Sequence, residues 1–200
     1  MKKGLLIALV VLVILVLIPG LAVQSTYNDL VAKDQEVNQQ WSQVENVYQR
    51  RADLIPNLVA TVKGYAAHES EVLETVTAAR AQVGSVRISQ DVLKNPAEFQ
   101  KFQRAQDGLS SALSRLMVVV EKYPDLKANQ NFLDLQSQLE STENRISVER
   151  KRFSEKVGVY NTRIKQFPAV LVAGMFGFKE KQYFQAAPGS EKAPVVNFGK

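Results

Sequence analysis

The side chains best suited to chemistry here are one imidazole, His68, the carboxylate beside it, Glu69, and a scatter of acidic and amide groups spaced along helical repeats. Carboxylates and imidazoles on facing helices can hold a pair of iron or manganese ions, but that arrangement draws a Glu-x-x-His pair from each of two helices. The residue three before His68 is Tyr65, and there is no second histidine. Serine hydrolysis would need His68 as base and a Gly-x-Ser-x-Gly elbow, which is absent. The chain has no cysteine, which removes thiolate ligands, disulfides, cysteine nucleophiles and lipoprotein attachment. Glycine-rich phosphate loops are absent too. The reading is therefore no catalytic residue, no cofactor and no metal, with His68 a surface or capping residue.

The elements that must position these groups are written in apolar seams. One runs Phe99, Phe102, Gln106, Leu109, Leu113, Leu116, Val120, Tyr123, in steps of three and four, the mark of a helix with one buried face. Asn95 as N-cap, Pro96 at the first helical position and Glu98 completing a capping box start it, and Pro124 ends it. A second seam runs Phe132, Leu135, Leu139, Thr142, Ile146, Glu149, Phe153, Val157, Tyr160, Ile164, Phe167, and predicts a helix over 125–167, about 60 Å long at the standard rise. Earlier, Tyr27, Leu30, Asp34, Val37, Trp41, Val44, Tyr48 and then Leu58, Val62, Tyr65, Glu69, Val72, Val76, Ala79, Val83 keep the same period. An internal proline costs a helix about 3 kcal/mol, so Pro56 predicts a turn between helices over 25–52 and 55–84. One kinked helix in a three-helix arrangement is the alternative. Residues 85–94 make the longest loop.

Asp34, Glu69, Gln106, Thr142 and Glu149 occupy seam positions where Leu is expected. Buried unpaired carboxylates are costly, so these residues either sit at a wet edge or form a polar layer with partners among Arg50, Arg51, Arg80, Arg104, Arg115 and Arg145. Trp41 and the seam tyrosines read as core. Gly64, Gly108 and Gly158 inside predicted helices suggest close helix approach.

Residues 1–3 carry Lys2 and Lys3, and residues 4–23 hold no charged or polar side chain. Twenty helical residues rise about 30 Å, the thickness of a bilayer's hydrocarbon core, which predicts a single transmembrane anchor. The competing reading is a signal peptide cleaved near Gly20-Leu21-Ala22, although the apolar run outlasts an ordinary h-region. Lys2 and Lys3 before the span, against Lys33 alone in the twenty residues after it, favour a cytoplasmic N-terminus and an extracytoplasmic bulk.

Residues 24–167 are expected to form the bundle, and 168–200 a tail of different character. The tail contains Pro168, Pro188 and Pro194 and four glycines, yet also Phe176, Phe178, Tyr183, Phe184 and Phe198. That aromatic content predicts packing along the bundle, with docking to the membrane surface or a neighbouring subunit as the sharper alternative. Outside the first three residues 23 basic groups face 20 acidic ones, and the densest basic run, Arg150-Lys151-Arg152, lies between Glu149 and Glu155. No nucleic-acid footprint results.

Residues 50–59, Arg50-Arg51-Ala52-Asp53-Leu54-Ile55-Pro56-Asn57-Leu58-Val59, followed by Val62-Lys63-Gly64-Tyr65 and His68-Glu69, resemble the signature of the LemA family. Tyr27-Asn28-Asp29-Leu30-Val31, Tyr123-Pro124-Asp125-Leu126, Leu135-Gln136, Glu143-Asn144-Arg145-Ile146, Tyr160-Asn161-Thr162, Phe167-Pro168 and Pro194-Val195-Val196-Asn197-Phe198 extend the resemblance over nearly the whole chain. It implies a bacterial membrane-anchored protein with a four-helix bundle and no established enzymatic activity. It also implies an extracellular N-terminus and a cytoplasmic bulk, opposite to the charge pattern. It supplies no catalytic roles for Arg50, Arg51, Asp53, Pro56, Asn57, Tyr65, His68 or Glu69. The residues themselves suggest a helix junction in which Asp53 caps and Arg50 or Arg51 pairs a seam carboxylate.

The expected fold is all-α: an N-terminal transmembrane helix, an elongated antiparallel four-helix bundle and an irregular aromatic-rich tail. The expected function is a non-enzymatic, membrane-anchored scaffold or adaptor in a bacterial cell membrane, touching the bilayer through residues 4–23 and binding copies of itself or other membrane proteins. A membrane-shaping protein assembling on the bilayer and a receptor for a small ligand are the alternatives.

Overall fold

The computed structural model describes residues 2–86, 92–93 and 95–185, and all regular structure among them is helical. Helix α1 spans Lys2–Tyr65, α2 Ser70–Ser85, α3 Pro96–Val120, the single turn α4 Pro124–Lys127, α5 Gln130–Lys165 and α6 Ala169–Phe176. Among the described residues one helix, α1, is long and apolar enough to cross a membrane, and no side chain over 6–23 is covered by protein. From Leu30 onward the same helix turns one face inward: Leu30, Val37, Trp41, Val44, Tyr48, Ile55, Leu58 and Val62 are all buried.

The turn expected at Pro56 is not there. Helix α1 runs through it, and the chain reverses ten residues later, over 66–69, where the Ala66 N–H still donates to the Val62 carbonyl (2.8 Å) and Glu69 N–H to Ala66 (3.1 Å). The physical reason lies on the neighbouring helix α2. Proline has no N–H, so the carbonyl four residues earlier, on Ala52, loses its helical donor. Arg80 of α2 supplies a replacement, donating from Nε to the Ala52 oxygen at 3.0 Å. A hydrogen bond from a charged donor is worth about 1.5–3 kcal/mol, enough to offset much of the proline's cost. Asp53 therefore caps nothing and accepts from Gln49 Nε2 one turn earlier at 2.8 Å.

Arg80→Met is accordingly expected to destabilise the protein by about 1–2 kcal/mol, whereas in a Pro56→Ala background, with Ala52 bonded within the helix again, it should cost little. Thermal unfolding of the two single variants and the double variant measures the coupling, and strict additivity would refute it.

Helix α2 returns along α1, α3 packs alongside α2, and α5 runs along α1 from Tyr65 to Asp29 in the largest helix–helix contact. Asn95 caps α3 as expected, its side chain accepting from Ala97 N–H at 3.0 Å, but the Asn95 N–H donates to Val92 rather than to a capping-box Glu98. The α3 seam faces inward through Phe99, Phe102, Gln106, Leu109, Leu113, Leu116 and Val120. The helix expected over 125–167 is interrupted at Ala128 and Asn129, because the Asn129 side chain accepts from Phe132 N–H at 3.1 Å and so begins α5 afresh. Its far end differs too: Phe167 is 80% exposed. Close helix approach explains none of the three glycines. A methyl group at Gly64 or Gly108 would meet no neighbouring atom within 4 Å, and one at Gly158 would make ordinary contact with the Tyr183 hydroxyl at 3.8 Å.

Of the loop over 85–94, Val86, Val92 and Leu93 are buried and most of the rest lies outside the described residues. After α6, residues 177–185 run back along the helices. The remainder of the tail, with Pro188, Pro194 and Phe198, lies outside the described residues.

Candidate functional site

The most enclosed charge among the described residues is Arg51, 1% exposed and therefore in need of partners. It stands on the α1 seam itself, three residues after Tyr48 and four before Ile55, so the guanidinium points inward and enters between α3 and α5. Nη1 donates to Ser110 Oγ at 2.9 Å and to Glu143 Oε1 at 2.6 Å. Nη2 donates to the Gln106 side-chain oxygen and, at 3.4 Å, to the Gln106 backbone carbonyl. The guanidinium carbon lies 5.2 Å from the centre of the Tyr48 ring. Arg51 Nε and Gln106 Nε2 are buried without a partner. Three helices are thus pinned at one height by one cation.

The five seam residues read as a possible polar layer do not meet in one. Gln106 and Thr142 are buried, and Thr142 spends its hydroxyl on the Gln138 carbonyl of its own helix at 2.7 Å. Asp34, Glu69 and Glu149 are half-buried and stand at separate heights along α1. Asp34 accepts from Lys181 (2.8 Å) and Asn38 (2.9 Å). Glu69 accepts from the Tyr123 hydroxyl (3.2 Å). Glu149 accepts from Gln40 (2.6 Å) and Arg152 (2.9 Å). Of the arginines considered as partners, Arg51 takes a carboxylate outside the seam, Glu143, and Arg50 reaches only Gln138, at 3.5 Å. Pro56, Asn57 and His68 are exposed. The exposed Tyr65 accepts from Asn129 at 2.9 Å, tying the reversal after α1 to the start of α5. Ser110 and Glu143 were not among the expected site residues. The signal for Glu143 was available, since it opens the Glu143-Asn144-Arg145-Ile146 motif, whereas Ser110 carried none.

A second constellation holds the returning C-terminal segment. Asn161 donates to the Lys181 carbonyl and accepts from its N–H, both at 2.9 Å, a paired bond of the kind an added strand would make. The Tyr160 hydroxyl donates to the Lys179 carbonyl at 3.1 Å. Burial first, and then the nearby Asp34 carboxylate, push that phenol up to about 12. Further along, Phe184 joins Trp41, Phe99 and Phe153 at ring-centre distances of 5.1–6.1 Å, and Gln185 exchanges hydrogen bonds with Gln103 at 2.7 and 3.2 Å. Between α3 and α5, beside Ser110 and Glu143, lies an open groove of about 510 Å³ floored by Leu113, Met117 and Leu139. Among the described residues no group of three or more His, Cys, Asp or Glu side chains could hold a metal ion.

Charge pairs bind α1 to α5 near the apolar segment. Arg163 donates to Asp29 at 2.5 Å and holds that carboxyl below its ordinary 3.8, and Lys156 at 2.7 Å does the same for Glu36. Glu45 behaves oppositely. Burial pushes its carboxyl above 4.5, offset in part by the indole of Trp41 one turn away. The folded state thus favours the protonated acid: the stability this group contributes is complete below pH 4.5 and disappears as pH rises through the raised value. Glu45→Gln should therefore be more stable than the parent at neutral pH, with the difference vanishing in acid. Unfolding midpoints across a pH series would check this, and an equal gain at every pH would contradict it.

Magnetosome protein MamQ 2 of Paramagnetospirillum magneticum is 26% identical over 186 residues, covering 85% of this chain and 68% of that protein. MamQ of Magnetospirillum gryphiswaldense is 27% identical with the same coverage, and Protein LemA of Metamycoplasma hominis is 22% identical over 160 residues, 80% of this chain and 69% of its own. None of these names carries an enzymatic activity. With the apolar helix, the relatives mark a membrane-associated protein. The model described as LemA family matches residues 40–198, which take in Trp41, the Arg51–Glu143 pair and the segment that Asn161 grips, so the chain belongs to the LemA family.

Proposed function

We propose that this protein is a non-enzymatic scaffold or adaptor, anchored through residues 4–23, whose helices stand off the bilayer and offer their outer surfaces to further copies or to other membrane proteins. We read residues 24–165 as an elongated antiparallel four-helix bundle of α1, α2, α3 and α5, with the aromatic C-terminal segment laid along its lower part. The observation that carries the reading is the continuity of α1: one helix contains both the apolar segment and the central rod. Beyond residue 23 that helix extends about 60 Å at 1.5 Å per residue, so whatever binds the far end is held at a set distance from the membrane. A flexible linker would serve a diffusing enzyme. A rigid post serves presentation.

On the positive-inside rule, Lys2 and Lys3 before the span favour a post on the extracytoplasmic side, against the orientation that the family resemblance implies. Protease added to spheroplasts should remove a tag attached at Lys200, and protection of that tag until lysis would reverse the orientation. Crosslinking in intact cells, followed by mass measurement of the detergent-extracted protein, should recover species larger than one chain. A strictly monomeric protein with no crosslinked partner would overturn the scaffold reading.

A further inference from the structure

Residues 167–178 contain no charged or polar side chain, yet only one side of the helix they form is covered. Helix α6 presses Ala169, Val172 and Ala173 against α1 and α5. Its opposite side carries Leu171 at 58% exposure and Met175 at 74%, continued by Phe167 at 80% and Phe176 at 53%. A helix apolar all round belongs in a protein core or in lipid, and a contiguous exposed apolar patch marks a contact surface.

Position says which contact. The Phe176 ring centre lies 4.7 Å from that of Tyr27, and Phe178 lies 5.8 Å from it. Tyr27 is four residues beyond Val23, the last residue of the apolar run, hence about 6 Å above it along the helix. The polar headgroup zone adds about 5–7 Å on each side of the hydrocarbon core, so α6 stands at headgroup level when residues 4–23 span. Aromatic rings and lysines gather at that level. Tyr27, Phe167, Phe176 and Phe178 supply the rings, and exposed Lys165 and Lys179 flank the apolar stretch. A second copy could cover the same face, but only after association. The bilayer is at that height around every chain.

We propose that α6 is a second membrane contact: an interfacial helix whose Phe167, Leu171, Met175 and Phe176 face enters the headgroup–acyl boundary of the leaflet from which the bundle rises. The inference rests on the reading of residues 4–23 as a span, and the test separates the two. Because the chain has no cysteine, Met175→Cys, Leu12→Cys and Val118→Cys each give a single site for an environment-sensitive fluorophore. The full-length protein is reconstituted in vesicles of phosphatidylcholine and phosphatidylglycerol containing nitroxide-labelled phosphatidylcholine. A fluorophore at position 175 should lose most of its emission to nitroxides near the headgroup, and one at position 12 to nitroxides deep in the acyl chains. One at position 118, distant on α3, should respond to neither. Loss at 12 without loss at 175 would overturn the α6 contact and leave the anchor standing. No loss at either would overturn both. Emission at 175 quenched by a spin-labelled second copy but not by lipid would assign the face to self-association.

Discussion

Glu143→Ala is expected to cost about 3 kcal/mol, more than removal of the arginine it pairs with, because the two members of the pair sit in different surroundings. The Arg51 side chain is 2% exposed and that of Glu143 41% exposed. Deleting the carboxylate leaves a guanidinium charge enclosed with only the neutral oxygens of Gln106 and Ser110. Deleting the cation by Arg51→Met returns Glu143 to water and orphans the Gln106 amide, a cost of about 1–2 kcal/mol. Glu143→Ala combined with Arg51→Met should therefore be no worse than Arg51→Met alone. In a domain of this size a 3 kcal/mol loss lowers the melting temperature by about 6–12 °C. Circular dichroism melts of the three variants supply the comparison, and an Arg51→Met variant less stable than Glu143→Ala would show that the arginine acts chiefly as packing.

Trp41→Ala should cost about 3–5 kcal/mol, the usual range for emptying a buried aromatic site. Trp41 is 0% exposed, and its ring lies 5.2–6.1 Å from those of Phe99 and Phe102 on α3, Phe153 on α5 and Phe184 on the returning segment. The effect extends beyond stability. Phe184 would lose part of the surface it covers, so amide hydrogen exchange over 181–185 should accelerate more than exchange in the middle of α5. Urea unfolding followed by circular dichroism gives the first quantity, since the chain's one tryptophan is the residue removed. A loss under 1 kcal/mol, or unchanged exchange over 181–185, would mean that the segment is held by Asn161 and Gln103 alone.

Much of the fold could be read from period and punctuation. The seam from Phe99 to Val120 faces inward as written, and Asn95 starts α3, because both are local patterns in which each residue's neighbours lie within a turn. Pro56 misled because its compensation is distant: the donor to Ala52 comes from Arg80, 28 residues on, and no local rule places it. Asn129 was overlooked because the seam begins only at Phe132, and an asparagine just before it starts a new helix only when its side chain turns to accept from Phe132 N–H. The polar seam residues suggested one layer or a wet edge and instead form separate partnerships, since a seam gives the face of a residue but not its height relative to residues on other helices. Arg51 was in view as a partner, and its place on the seam, three residues after Tyr48, is what carries its guanidinium inward to Gln106, Ser110 and Glu143.

The unbroken course of α1 also makes it a keyed shaft. Height and azimuth are set by the same residue count, so one residue inserted between Val23 and Thr26 would lift everything beyond by about 1.5 Å and turn it by about 100°. The face of α6 and the groove between α3 and α5 would swing together with the far tip. Conversely, a rotation or piston shift of the apolar segment within the bilayer reaches Tyr65 as torque or thrust. Arg80 carries the load past Pro56, the one place beyond the apolar segment where a proline interrupts the helix's own hydrogen bonds.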